Sequence, residues 1–213
     1  MRDLDKALAD IVAIRSQIAR ETAFRGLGSA TLAGTGGLAL AMAAFQSWWI
    51  DDPTGQPLIY FGLWIIAAIC AFALIGVETM RRSRQLHSGL ADAMVLNAIE
   101  SFLPAAGAGA CLAIVFARFA PEQVWMLPGL WQVLTGLGLF AAARILPRAV
   151  HLAGAWYLLA ALTVLAFASG TQALSPWMMG LPFAVGQGLL ALIIHRAMRD
   201  DVTGHTDGSD AAH

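Results

Sequence analysis

The stretch Asn97–Phe119, NAIESFLPAAGAGACLAIVFARF, decides the reading of the fold. A helix needs about 20 mainly apolar residues to cross the hydrocarbon of a bilayer, and this run supplies them. It also carries an acid, Glu100, near its start. Pro104 follows four residues later and removes the backbone donor that would have bonded the Glu100 carbonyl. An apolar helix with a carboxylate and a proline in its first turns is a membrane span whose polar groups need partners.

Composition extends that reading to the whole chain. Of 213 residues, 58% are hydrophobic and 13% charged, against about 25% charged in a soluble domain. Mean hydropathy is +0.67. One core of this size cannot hide so much apolar surface, so lipid must cover the rest. The net charge of −1 gives no basic excess and argues against nucleic acid as a partner. Cys70 and Cys111 stand alone in apolar runs, without the spacing of a metal or redox motif.

Outward from the central stretch, the sequence predicts an all-α membrane bundle of six transmembrane helices behind an amphipathic N-terminal helix. Residues 1–25 form that first helix. Leu4, Ala7, Ile11, Ile14 and Ile18 recur at spacings of 3 and 4 and give it an apolar seam for a partner helix, its own bundle or the lipid surface. The six spans cover about 26–48, 58–77, 97–119, 124–143, 149–168 and 177–197, within a transmembrane domain of 26–197. Ser88 is suited to cap a helix that begins at Gly89 and runs into the third span. Small residues recur every fourth position in three spans: Ser29, Ala33, Gly37 and Ala41; Ala105, Gly109, Ala113 and Ala117; Gly180, Ala184 and Gly188. Such stripes let helices approach closely. Residues 198–213 lack periodicity and read as a disordered tail.

Charge then orients the bundle. Twelve of the thirteen Lys and Arg residues fall on the side of both termini, and only Arg118 falls on the other. The positive-inside rule places the twelve, and both termini, in the cytoplasm of a multi-pass inner-membrane protein. Trp48, Trp49, Trp125 and Trp177 would form an aromatic belt at the outer interface. The openings PLIYFGLW, VWMLPGLW and PWMMGLPF of spans 2, 4 and 6 echo one another, as three sequential hairpins would.

The residues that could carry chemistry are few. No GxSxG, HExxH or phosphate-binding loop is present, so no catalytic residue, cofactor or metal site is expected. Gly34 to Gly37 lies within a span, where packing explains it. His87, His151 and His195 fall near span ends without metal-ligand spacing. The candidate intramembrane polar residues are Glu100, Asn97, Gln132 and Gln187. Glu100 can bind a cation or ligand, relay a proton, reach the headgroups, or pair with Arg81 or Arg144. The two glutamines are suited to bond across helices. Pro104, Pro128 and Pro182 are candidate kinks in spans 3, 4 and 6.

The strings FRGLGSAT, IGVETMRRSRQLHSGLAD, FLPAAGAGA and WMLPGLWQ resemble a group of small bacterial multi-pass inner-membrane proteins. The resemblance covers about residues 5–195. It implies a bundle in the bacterial cytoplasmic membrane and carries over no catalytic or binding residue.

Two functions fit the residues. One is a non-enzymatic inner-membrane protein, with the lipid bilayer around it, whose cytoplasmic face binds a cytosolic protein or a second copy as a homo-oligomer. The N-terminal helix and the loop 81–100 would form that face. The alternative is a small-solute or proton-coupled permease or channel built on Glu100 and the kinked spans.

Overall fold

The chain is all-helical in a computed structural model that describes residues 28–86, 89–143 and 146–210. Side chains of 82–86, 89–99, 101–102, 171 and 200–210 lie outside the description. So do the N-terminal seam Leu4, Ala7, Ile11, Ile14 and Ile18, and His87, Ser88 and Arg144. The elements are α1 (Ser29–Trp49), α2 (Pro57–Leu86), α3 (Gly89–Phe119), a 3-10 helix (Pro121–Met126), α4 (Leu127–Ala142), α5 (Val150–Phe167), a 3-10 turn (Gly170–Gln172) and α6 (Trp177–Asp210). Among the described residues there is no strand.

Apolar helix formers fill these elements, and in lipid a helix satisfies its backbone internally. Prolines divide them. Pro57 opens α2 and Pro121 opens the first 3-10 helix, positions where a missing N–H is tolerated. Pro147 and Pro176 stand just before α5 and α6.

Four helical stretches are long and apolar enough to cross a membrane: Pro57–Arg81, Pro121–Ala142, Val150–Phe167 and Trp177–Arg199. They correspond to the second, fourth, fifth and sixth expected spans. The other two expected spans are also helical, as α1 and as the shorter apolar segment Leu103–Phe119 of α3. In α1, Thr31, Gly34, Thr35, Gly36, Gly37 and Gln46 dilute the apolar character. The helix of the third span begins at Gly89, as its sequence suggests. The expected loop 81–100 is instead the helical end of α2 and the helical start of α3 around residues 87–88. Helical backbone in α6 continues past 197 to Asp210.

Neighbours in the bundle follow the order α2, α1, α6, α5, α4, α3, with α3 returning lightly to α2. Each close pair is antiparallel. In the α1–α6 seam, Gly36 meets Ala184 and Gln187 while Gly180 meets Ala43. In the α4–α5 seam, Gly129 faces Ala161 and Leu165 while Gly136 faces Gly154 and Leu158. One end of the bundle therefore carries Asp51, Asp52 and Glu122 with Arg118. The other carries Arg81, Arg148, Arg196 and Arg199. We call them the acidic and basic ends.

The seams are backbone contacts. A Cβ on Gly36 would lie 3.1 Å from the Ala184 carbonyl oxygen. One on Gly136 would lie 3.0 Å from that of Gly154, and one on Gly129 would lie 2.6 Å from Leu165 Cγ. The small-residue stripes are used unevenly. Gly109 packs on Trp131, and Gly180 and Ala184 line the α1–α6 seam, as expected. On α1 the stripe Ser29, Ala33, Gly37, Ala41 is not the packing edge. Ala33, Gly37 and Ala41 are exposed, and the buried edge is Leu32, Thr35, Gly36, Ala39, Ala43 and Gln46. The core divides into an acidic-end cluster around Ala43, Tyr60, Trp64, Leu127 and Met179. A basic-end cluster surrounds Leu32, Leu139, Val150, Tyr157, Leu190 and Ile194.

The seams predict a contrast between glycines. Gly180→Ala drives a methyl into Ala43 and should destabilise the bundle by about 1–3 kcal/mol. Gly188→Ala meets open space and should be stabilising by about 0.5–1 kcal/mol, the usual gain within a helix. Unfolding in mixed micelles measures both.

Candidate functional site

The interior polar side chains form a set of ties between helices, and most of them end on a backbone carbonyl. Pro182 explains the strongest tie. Within α6 its ring nitrogen has no hydrogen, so the carbonyl of Met178, four residues earlier, loses its helical donor. Gln132 of α4 replaces it: its Nε2 donates to Met178 O at 2.8 Å, from a side chain with 0% exposure. A proline break on one helix is thus closed by an amide on another, as membrane bundles require.

Three further ties use carbonyls. Gln46 Nε2 of α1 donates to Tyr60 O of α2 at 2.9 Å. Trp131 Nε1 of α4 donates to Gly109 O of α3 at 3.1 Å. Trp156 Nε1 of α5 donates to Pro182 O of α6 at 3.0 Å. An indole N–H can only donate, so in a helical bundle a carbonyl is its natural acceptor.

A second polar group sits deeper, where α1, α5 and α6 meet. The Thr35 hydroxyl lies 2.8 Å from its acceptor Leu32 O and 3.2 Å from Gln187 Oε1, and divides its one proton between them. Gln187 Nε2 donates to the Tyr157 hydroxyl at 3.4 Å. Tyr157 is fully buried, and its ring presses on the backbone of Gly186.

Near the acidic end the account does not close. Gln46 Oε1, Gln132 Oε1 and Trp64 Nε1 are buried and reach no hydrogen-bond partner. The Tyr60 hydroxyl, in the same layer, donates to Ser175 O at 3.4 Å. Leu174 beside it holds a left-handed φ of 57° with its side chain in the core. That conformation costs a non-glycine residue about 1–2 kcal/mol, so burial of Leu174 fixes the turn before α6.

The expected site residues separate into two groups. The structure brings Gln132, Gln187 and Pro182 into the core. Glu100 and Pro104 are exposed on α3, away from these glutamines. Asn97 lies one helical turn before Glu100, with its side chain outside the description. Pro128 stands in the first turn of α4, at its joint with the 3-10 helix, where Leu127 N–H bonds Val124 O. Sequence reasoning passed over Thr35, Gln46, Trp64, Trp131, Trp156 and the two tyrosines. Their signal was available, since a polar group at span depth needs a partner. Among the described residues, no three His, Cys, Asp or Glu side chains converge as metal ligands would; His151 and His195 are exposed.

Outside the bundle, the α1–α2 loop is held by Asp52. The Thr54 hydroxyl and then the Gly55 backbone N–H hold its carboxyl below the usual carboxylate range. These bonds favour the ionised form. They stabilise the turn above the ordinary aspartate value and are lost as pH falls through the lowered one.

No protein-family model, curated protein or solved structure matches the chain.

Two outcomes follow from this geometry. Gln132→Met should destabilise the wild type by about 0.6–2 kcal/mol. It should cost clearly less in a Pro182→Ala background, where residue 182 regains an N–H for Met178 O; a double-mutant cycle in micelles reads the coupling. Separately, carbon-13 NMR should find the Asp52 carboxyl titrating below the usual aspartate range, and Thr54→Val should raise it.

Proposed function

We propose that the chain is a six-span, non-enzymatic protein of the bacterial inner membrane, with both termini in the cytoplasm. Its cytoplasmic face binds a protein partner or a second copy of itself. Residues 1–25 and the α2–α3 connection around 81–100 form that face.

The observation that carries this reading is the overrun of three helices at the basic end. α2, α3 and α6 have 30, 31 and 34 residues, whereas α1, α4 and α5 have 21, 16 and 18. About 20 residues span the hydrocarbon. The start of α3, from Gly89 to the apolar segment at Leu103, adds roughly 20 Å of helix at 1.5 Å per residue. Helical backbone outside lipid gives a partner a rigid surface. The basic end also carries Arg81, Arg148, Arg196 and Arg199, which supports its cytoplasmic placement.

The permease reading rests on Glu100 and the kinked spans. Glu100 is exposed on α3, and the carbonyl freed by Pro182 is already bonded by Gln132. Close backbone contact at Gly36, Gly129, Gly136 and Gly180 fills the seams where a solute path would run.

The test is co-purification from native membranes of two differently tagged copies, and of cytosolic protein bound to them. Wild type should capture a stoichiometric partner or the second copy. Ile11→Asp with Ile14→Asp should abolish that association while the bundle still inserts. Association that survives both changes, or none with wild type, overturns the reading.

A further inference from the structure

Three buried polar atoms in one layer of the bundle have no protein partner: Gln46 Oε1, Gln132 Oε1 and Trp64 Nε1. Both glutamines are 0% exposed and Trp64 is 5% exposed. Their helices bring them to the same level. Gln46 lies in the last turn of α1 and grips Tyr60 O in the first turn of α2. Trp64 is one turn further along α2, its ring 6.5 Å from that of Tyr60. Gln132 lies in the second turn of α4 and grips Met178 O in the first turn of α6. The Tyr60 hydroxyl bonds Ser175 O, just before that turn. Tyr60, Trp64, Leu127 and Met179 belong to a single packed cluster.

The rotamers of the two amides are not free to turn away. Each Nε2 is committed to a carbonyl, and exchanging Oε1 with Nε2 would set oxygen against oxygen. The unpaired set is therefore two acceptors and one donor. A water molecule has the complementary inventory, two O–H donors and an oxygen that accepts. Buried waters characteristically make about three hydrogen bonds to polar groups left unpaired by the protein. An apolar occupant would leave all three atoms unpaired, a state that lipid-embedded protein avoids.

We propose that the acidic-end core binds an ordered water that donates to Gln46 Oε1 and Gln132 Oε1 and accepts from Trp64 Nε1. This site ties α1, α2 and α4 at the level where α6 is broken by Pro182. It belongs to neither the partner-binding face nor the Thr35–Gln187–Tyr157 group, and its success or failure leaves the proposed function unaffected.

The chain contains its own controls. Trp131 and Trp156 are part-buried, and their indole N–H groups are already bonded to Gly109 O and Pro182 O. Solid-state NMR of the full chain in lipid vesicles, with nitrogen-15 in the indoles, measures polarisation transfer from water. Trp→Phe variants assign the signals. Trp64 Nε1–H should gain water polarisation several-fold faster than the Trp131 and Trp156 indoles. Equal build-up at all three overturns the proposal, and the wild type alone decides this. Gln46→Met then removes one acceptor while keeping side-chain length. It should slow transfer to Trp64 and leave the Trp131 and Trp156 signals in place. Unchanged transfer to Trp64 in that folded variant overturns the bridging geometry.

Discussion

The bundle depends on backbone contact between its first and last helices. Lipid tails are as apolar as leucine, so the hydrophobic effect does not press helices together within the bilayer; close packing and hydrogen bonds do. Gly180 lies against Ala43, and Gly36 against Ala184 and Gln187. A larger residue at either glycine would part the helices. With α1 and α6 this close, Thr35 reaches Gln187, and Gln187 reaches Tyr157 of α5. The seam that joins the two ends of the spanning region thus also aligns α6 with α5.

That alignment gives the other ties their common logic. A helix has already spent its N–H groups on its own carbonyls, but each carbonyl oxygen keeps a second lone pair. Side chains that only need to donate can therefore anchor on a neighbouring backbone. Trp131, Trp156 and Gln46 do so. Gln132 does it at the one carbonyl that Pro182 has left without a donor. These bonds use main-chain acceptors whose positions the helix geometry fixes. They set how far each helix can slide along its neighbour, where small-residue packing alone would permit sliding.

What the sequence revealed follows from which signals are periodic. Span positions, the prolines that bound them and the helix start at Gly89 are marked by long apolar runs and turn residues, and these correspond to helices. The packing edge of α1 was not legible in the same way. Nearly every position from Ser29 to Ala44 is small, so a stripe can be drawn along several faces. The edge that packs is distinguished by Leu32, Thr35 and Gln46, not by Gly37 or Ala41. Glu100 drew notice because it is charged, yet a residue near the start of a long helix can sit outside the core. Gln132 and Gln187 were legible as glue, but their acceptors were not, because a carbonyl in another helix leaves no trace in side-chain pattern. Trp64, Trp131 and Trp156 were hidden by the expectation that membrane tryptophans line the interface.

The exposed surface completes the argument. Only 22% of the apolar window of α2 is buried, against 39% in the other three long apolar stretches. Its outward residues include Ile65, Ile66, Ile69, Leu74 and Val77, and α2 touches α3 less than it touches α1. In water such a face would demand a protein cover. In a bilayer, branched aliphatic side chains are matched by acyl chains, and lipid is cover enough. The same holds for Leu152, Leu159 and Leu162 on α5. Exposure within the hydrocarbon therefore carries no recognition signal in this chain. The polar side chains at depth are engaged in holding helices together or await the one unpaired layer near the acidic end. Specific recognition of another protein has to be made by backbone and side chains beyond the hydrocarbon, where α2, α3 and α6 overrun it.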